Sequence, residues 1–151
     1  MDENVNIGKV AVKYGVLAAA GLILYFVLMN LLGLLYIIEL RFLNFIFLAT
    51  MIIAGIAHLQ KKGLQGVPYF DGLSLGMGIS LIATAIFTLF VYLFLSINPQ
   101  FMAVLVENAP FGDYLNKYMC SMVVIFEGLA SGVIVTYTAM QYFKREVPFG
   151  V

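Results

Sequence analysis

Charge is scarce in this sequence: Asp, Glu, Lys and Arg make up 11% of 151 residues, and the positive and negative groups cancel to a net +0. A soluble domain carries about 25% charged residues, and one this apolar would expose adhesive patches it has no means to cover. The missing basic excess argues against nucleic acid as a partner. A single cysteine, Cys120, leaves no internal disulfide and no thiolate zinc or iron–sulfur centre within one chain. A single histidine, His58, falls short of the histidine pair that commonly holds a haem between helices, and its position at a helix end suits the helix dipole instead. Tryptophan is absent, so tyrosine has to occupy the interfacial positions of an aromatic belt. The eight methionines are scattered and fit lipid-facing or core packing rather than a copper site. No nucleophile–base pair, phosphate loop or close carboxylate pair is present. The expectation is a protein that is not an enzyme and that carries no cofactor and no metal.

What the sequence has in abundance is long apolar runs. Hydrophobic residues are 63% of the chain, and the mean hydropathy is +1.02. A spanning helix needs roughly 20 mostly apolar residues. Four runs qualify, at about 14–38, 42–59, 72–97 and 117–143. Helix is the required form, because backbone amides in hydrocarbon must be satisfied within the segment or in a closed barrel. Barrel strands would alternate polar and apolar residues, and these runs do not. The first run has no charge and one amide, Asn30, and the cluster Glu39, Arg41 and Asn44 separates it from the second. The second closes on a basic stop, Lys61-Lys62-Gly63. Asp71 is placed to cap the third, and Asn98-Pro99 stops it. The connector 98–116 has a first half suited to amphipathic turns on the membrane surface, broken by Pro110 and Gly112. The N-terminal stretch lacks the short apolar core and cleavage site of a removable signal peptide, so the first run is expected to stay as a span.

These runs predict an all-α fold: residues 1–151 as a single domain, an integral membrane bundle of four antiparallel transmembrane helices. Lys9, Lys13, Lys61, Lys62, Lys144 and Arg145 fall on one side and Arg41 and Lys117 on the other, a positive-inside bias that puts both termini in the cytoplasm. Tyr36 and Phe42 on one face, with Tyr14, Tyr69, Tyr142 and Phe143 on the other, suit interfacial belts.

Glu127 is the one acid well inside a predicted span. Ionisable groups in hydrocarbon are expensive and face the bundle or a water-filled cavity. Counted at ~1.5 Å of rise per residue, Glu127 lies about 15 Å inside its end of the membrane, Asn30 and Thr50 about 12 Å, and Thr88 about 13 Å. The counting predicts an intramembrane polar layer of Asn30, Thr50, Thr88 and Glu127. Two readings stay open: a proton- or cation-binding carboxylate, or a structural acid that pins helices together by hydrogen bonds or pairs with a partner subunit. A second pattern is small-residue spacing, with Gly72, Gly76 and Ser80 on the third span and Gly128, Gly132 and Thr136 on the fourth. Such stripes let backbones approach where no hydrophobic drive exists, so they are expected to pack helices.

Two stretches carry a family likeness: Lys13-Tyr14-Gly15 opening the first span, and Lys61 to Gly78, KKGLQGVPYFDGLSLGMG, with a basic end, an aromatic linker and a glycine-spaced helix. Together the layout, from about Val12 to Arg145, resembles domain-of-unknown-function family 4199, small four-helix inner-membrane proteins of Bacteroidota. The resemblance implies a multi-pass protein of the bacterial inner (cytoplasmic) membrane and brings no catalytic residues. The expected function is a non-enzymatic accessory or structural subunit of a larger inner-membrane complex, with membrane lipids and other subunits, or a second copy of itself, as partners. The alternative is a small proton-coupled transporter acting as a homodimer through Glu127.

Overall fold

The computed structural model describes residues 6–34, 42–61 and 67–143. Expectations for Tyr36, the Glu39–Arg41 pair, Lys62 and the Lys144–Glu146 end lie outside the described residues. Five α-helices and a short 3₁₀ turn account for nearly all of the rest, with no strand among the described residues: α1 Ile7–Leu31, α2 Phe42–Lys61, α3 Tyr69–Ile97, α4 Pro99–Asn108, the turn Gly112–Tyr114, and α5 Lys117–Phe143. Helices α1, α2, α3 and α5 are long and apolar enough to cross a membrane.

Helix α1 departs most from its expected span. It starts seven residues earlier, at Ile7, because Asn6 caps it by accepting a hydrogen bond from the Lys9 amide at 3.1 Å. It ends at Leu31, not Ile38. Gly33 adopts φ +68°, and the Gly33 and Leu34 amides return to the Asn30 and Met29 carbonyls at 3.1 and 3.0 Å. This paired closure satisfies the last carbonyls and needs a residue that tolerates a left-handed backbone. The apolar composition of Leu31–Ile38 hid the stop.

The other ends follow local chemistry. His58 and Lys61 sit in the last turn of α2, where cations meet the negative end of the helix dipole. Asp71 is not the cap of α3. That position is Pro68, which makes no side-chain capping bond, and Asp71 lies inside the first turn, where its charge complements the dipole. Asn98 is extended before Pro99, and Pro99 opens α4, where its missing N–H is harmless. Helix α4 is an almost three-turn surface helix. Phe111 (φ 65°) turns the chain after it, and Gly112 packs so closely on the Val106 carbonyl that a Cβ would overlap it. Asn116 then caps α5, accepting from the Met119 amide at 2.9 Å.

Helices α2 and α3 each touch both α1 and α5, so α1 and α5 flank a central pair. The core has two unlike halves. Away from α4 it is aliphatic and tight, with Ile52, Ile56, Leu59, Leu75, Ile79 and Met140 fully buried. At the α4 end it is aromatic. The Phe26 ring meets Phe87, Phe90, Phe94 and Phe101 edge-on, at centroid distances of 6.2, 5.6, 5.1 and 6.4 Å. Phe101 belongs to α4, so this cluster is what fastens α4 to the bundle. Nearby, the Lys117 ammonium lies 5.3 and 5.4 Å from the Tyr92 and Tyr118 rings, a cation–π arrangement suited to an interfacial level.

Candidate functional site

The α3–α5 contact sets the geometry around Glu127. Gly72 faces Met140, Gly76 faces Thr136, Ser80 faces Gly132, and Thr84 faces Gly128. At each of the four glycines, an added Cβ would overlap the side chain opposite. The small residues thus lie at an internal seam. The Ser80 hydroxyl crosses it and donates to the Gly128 carbonyl at 3.1 Å.

At the end of this seam, where Thr84 meets Gly128, the helices part around a cavity of about 50 Å³. Glu127 and Ser131 of α5, Asn44 of α2 and Thr84 of α3 give it a carboxyl, two hydroxyls and an amide, and Phe87 and Val124 close its apolar side. A water takes up about 30 Å³ in the liquid, and a cavity needs only ~10–15 Å³ of probe space to hold one. Ligand pockets for organic molecules are about 300–1,000 Å³. The space around Glu127 is therefore of a size for one or a few waters.

Of the four residues of the expected polar layer, only Glu127 lines this cavity. Thr50 is exposed, and its hydroxyl donates to the Ile46 carbonyl of its own helix at 2.8 Å. Thr88 lies one turn beyond Thr84, its hydroxyl buried with no hydrogen-bond partner among the described residues. Asn30 sits in the last turn of α1, because that helix ends at Leu31. Among the described residues, the polar side chains that share this cavity with Glu127 are instead Asn44, Thr84 and Ser131. Rise along a helix fixes depth but not rotation about the axis, and the counting took the ends of all four helices as level. They are not. Asn44 lies two residues into α2 and Glu127 ten residues into α5, so with both on one cavity α2 begins about 12 Å deeper than α5 at ~1.5 Å per residue. Asn44 read as part of the interfacial cluster before α2 for this reason.

A second space, of about 120 Å³, lies between Phe26, Leu95, Phe101, Leu105 and Cys120 at the α4 end. It shares Asn44, Phe87 and Val124 with the Glu127 cavity. Asn44 thus stands where the two meet, and its side-chain oxygen is buried with no donor among the described residues. A third space is an apolar groove of about 450 Å³ along α2 and α5, between Phe45, Ala49, Ile53, Ile134, Thr138 and Tyr142. Phe45 lines both this groove and the Glu127 cavity.

Among the described residues, no cluster of three or more His, Cys, Asp or Glu side chains is placed to hold a metal ion. Compared with protein-family models, curated proteins and solved structures, the chain matches none.

Proposed function

We propose that this chain is a non-enzymatic accessory or structural subunit of a larger complex in a bacterial inner membrane. The observation that carries the reading is the α2–α5 groove. It is long, apolar and about 450 Å³, and it runs along α5, the span least covered by the rest of the chain. The small-residue stripes of α3 and α5 are taken up by their mutual seam, so the groove is the surface left for a partner helix. The water-sized cavity at Glu127 supports a non-enzymatic reading. The antiparallel arrangement is supported by the order of contacts along the seam: positions 72, 76, 80 and 84 of α3 meet 140, 136, 132 and 128 of α5. Lys9, Lys13 and Lys61 at the end opposite α4 support that end as cytoplasmic. The bacterial inner membrane enters through the likeness to family 4199.

Extraction in a gentle detergent should bring down a defined assembly larger than the chain. Filling the groove with Ile134→Trp, at an exposed position of its lining, should release the chain from that assembly while leaving its own unfolding unchanged within about 0.5 kcal/mol, as for a substitution at a surface site. Native-gel migration and unfolding in mixed micelles read the two effects, and recovery of the wild type only as a free monomer would overturn the proposal. A homodimeric proton-coupled carrier is the second reading, favoured by the position of Glu127 on a water-sized cavity. Proton flux into liposomes that disappears in Glu127→Gln would select it over the first.

A further inference from the structure

We infer that the corner between α4 and α5 is a phospholipid-binding surface, at which the Phe111 ring enters the boundary between headgroups and acyl chains beside Lys117 at the level of the phosphates. This surface presupposes that the four long helices span a membrane, and it is separate from the α2–α5 groove of the assembly reading.

Phe111 carries two unfavourable features at once. Among the described residues it is the one residue other than glycine with a positive φ, at φ 65° and ψ 30°. A left-handed backbone is an outlier for a bulky side chain, and strain of this kind persists where the surroundings hold it and clusters at functional positions. Glycine avoids it, as Gly33 does after α1 at φ +68°. At Phe111 the strained residue also bears a phenyl ring that is 82% exposed. In water that ring would add the unfavourable hydration of apolar surface to the backbone strain. In lipid the hydration term vanishes. The next residue, Gly112, is pressed on the Val106 carbonyl with no room for a Cβ, which fixes the turn that displays the ring.

The height of the turn in the bundle points to a membrane interface. Continued at the register of Thr84 opposite Gly128, the α3–α5 seam brings Ile97, the last residue of α3, level with Leu115, just before α5 begins. The two apolar spans stop together there, and the turn Gly112–Tyr114 lies at that stop. Its neighbours are residues that favour an interface. Tyr114 and Tyr118 are 76% and 61% exposed. The Lys117 ammonium is held 5.3 Å from the Tyr92 ring and 5.4 Å from the Tyr118 ring. Tyrosine sits at headgroup level because its ring is apolar and its hydroxyl is not, and lysine buries its stem while its ammonium reaches the polar layer.

The same corner favours lipid over a protein partner. Gln100, Ala103 and Glu107 share one exposed face of α4, a largely polar face suited to water, while Phe101 and Met102 pack on the aromatic core. The exposed rings are confined to the corner, where Asp113 and Asn116, both exposed, stand between them in sequence. Separate rings around an ammonium match a layer in which phosphates overlie acyl chains. Helix α4 is then attached twice: inward through Phe101 to the aromatic core, and outward through Phe111 to the leaflet. The two attachments hold it in the plane of the membrane.

The chain has no tryptophan, so Phe111→Trp places a single fluorophore at the corner. The full chain is reconstituted in phosphatidylcholine vesicles and quenched in turn by lipids brominated near the glycerol, by lipids brominated near the chain end, and by aqueous iodide. Phe111→Trp should be quenched most by the first of these. Leu81→Trp, at an exposed position near the middle of α3, should be quenched most by the second. If neither lipid quenches Leu81→Trp, the spanning reading fails and the lipid surface falls with it. If Leu81→Trp behaves as expected but Phe111→Trp is quenched mainly by iodide, or is shielded from all three quenchers by a protein surface, the lipid surface alone is overturned. A second variant separates the ring from the backbone. Phe111→Asn installs a residue that tolerates the left-handed region and removes the ring. Amides of α4 should then exchange about tenfold faster in vesicles, the scale expected for losing the burial of part of a Phe side chain. Were the ring in water, Phe111→Asn would only relieve strain, so α4 exchange that is unchanged or slower overturns the inference as well.

Discussion

Replacing Gly132 by leucine should separate α3 from α5 and produce the largest loss of stability of any single substitution on the α3–α5 seam. Even one added carbon at this position overlaps the Ser80 side chain, and leucine adds three more. Overpacking of a well-filled interior costs about 1–3 kcal/mol and occasionally more. The same displacement breaks the Ser80–Gly128 hydrogen bond, a loss of about 0.6 kcal/mol for a typical interhelical bond in a membrane protein. In lipid there is no hydrophobic drive to hold the helices once close packing is lost, since the acyl chains solvate an exposed leucine as well as a neighbouring helix does. Three further variants separate size from chemistry. Ser80→Ala should lose only the hydrogen bond. Ala130→Leu, on the exposed side of α5, should be near neutral. The exchange Ser80→Gly with Gly132→Ala moves bulk from one side of the seam to the other and should recover stability relative to Gly132→Ala alone, as coupled neighbours do. Reversible unfolding in mixed micelles measures these variants and the Gly132→Ala reference. A Gly132→Leu protein as stable as wild type would mean that the seam does not hold the bundle together.

The second large effect is expected at the other end. Phe26→Ala removes the ring that contacts Phe87, Phe90, Phe94 and Phe101. Truncating a buried Phe in a water-soluble core costs about 3–5 kcal/mol. Here the lower part of that range is expected, because lipid rather than water borders the site and the loss is mainly of packing and of aromatic pairs, each of about 0.5–1.5 kcal/mol. The effect should also be local. Helix α4 has no buried residue of its own and is held by Phe101, Met102 and Leu105 against the aromatic half of the core. Amides of α4 should therefore lose hydrogen-exchange protection in Phe26→Ala, while those of α2 around Ile52 and Ile56 keep it. Equal loss of protection in both halves would show a single cooperative core rather than two.

Both effects depend on features that the sequence carries in different degrees. The glycine spacing of α3 and α5 was visible, because small residues four apart share one helix face whatever lies opposite. Which helix lies opposite was not visible, since the same stripe serves an internal neighbour or a second protein. The aromatic hub had no signal of its own: Phe26, Phe87 and Phe101 are far apart in sequence, and phenylalanine is equally at home facing lipid.

The sequence by itself determined the four apolar helices, because a backbone in hydrocarbon has to bond to itself and length then fixes the number of crossings. It also determined that one acid, Glu127, lies well inside the last of these apolar helices. The helix stop at Gly33 was written there too, though apolar neighbours concealed it. Tertiary structure alone decided which of the described polar groups share a cavity with Glu127. Asn44, Thr84 and Ser131 were selected over Asn30, Thr50 and Thr88 by the unequal depths at which the helices begin and by the rotation of each about its axis. Both are set by side chains meeting across an interface, and neither leaves a trace in the periodicity of any one helix.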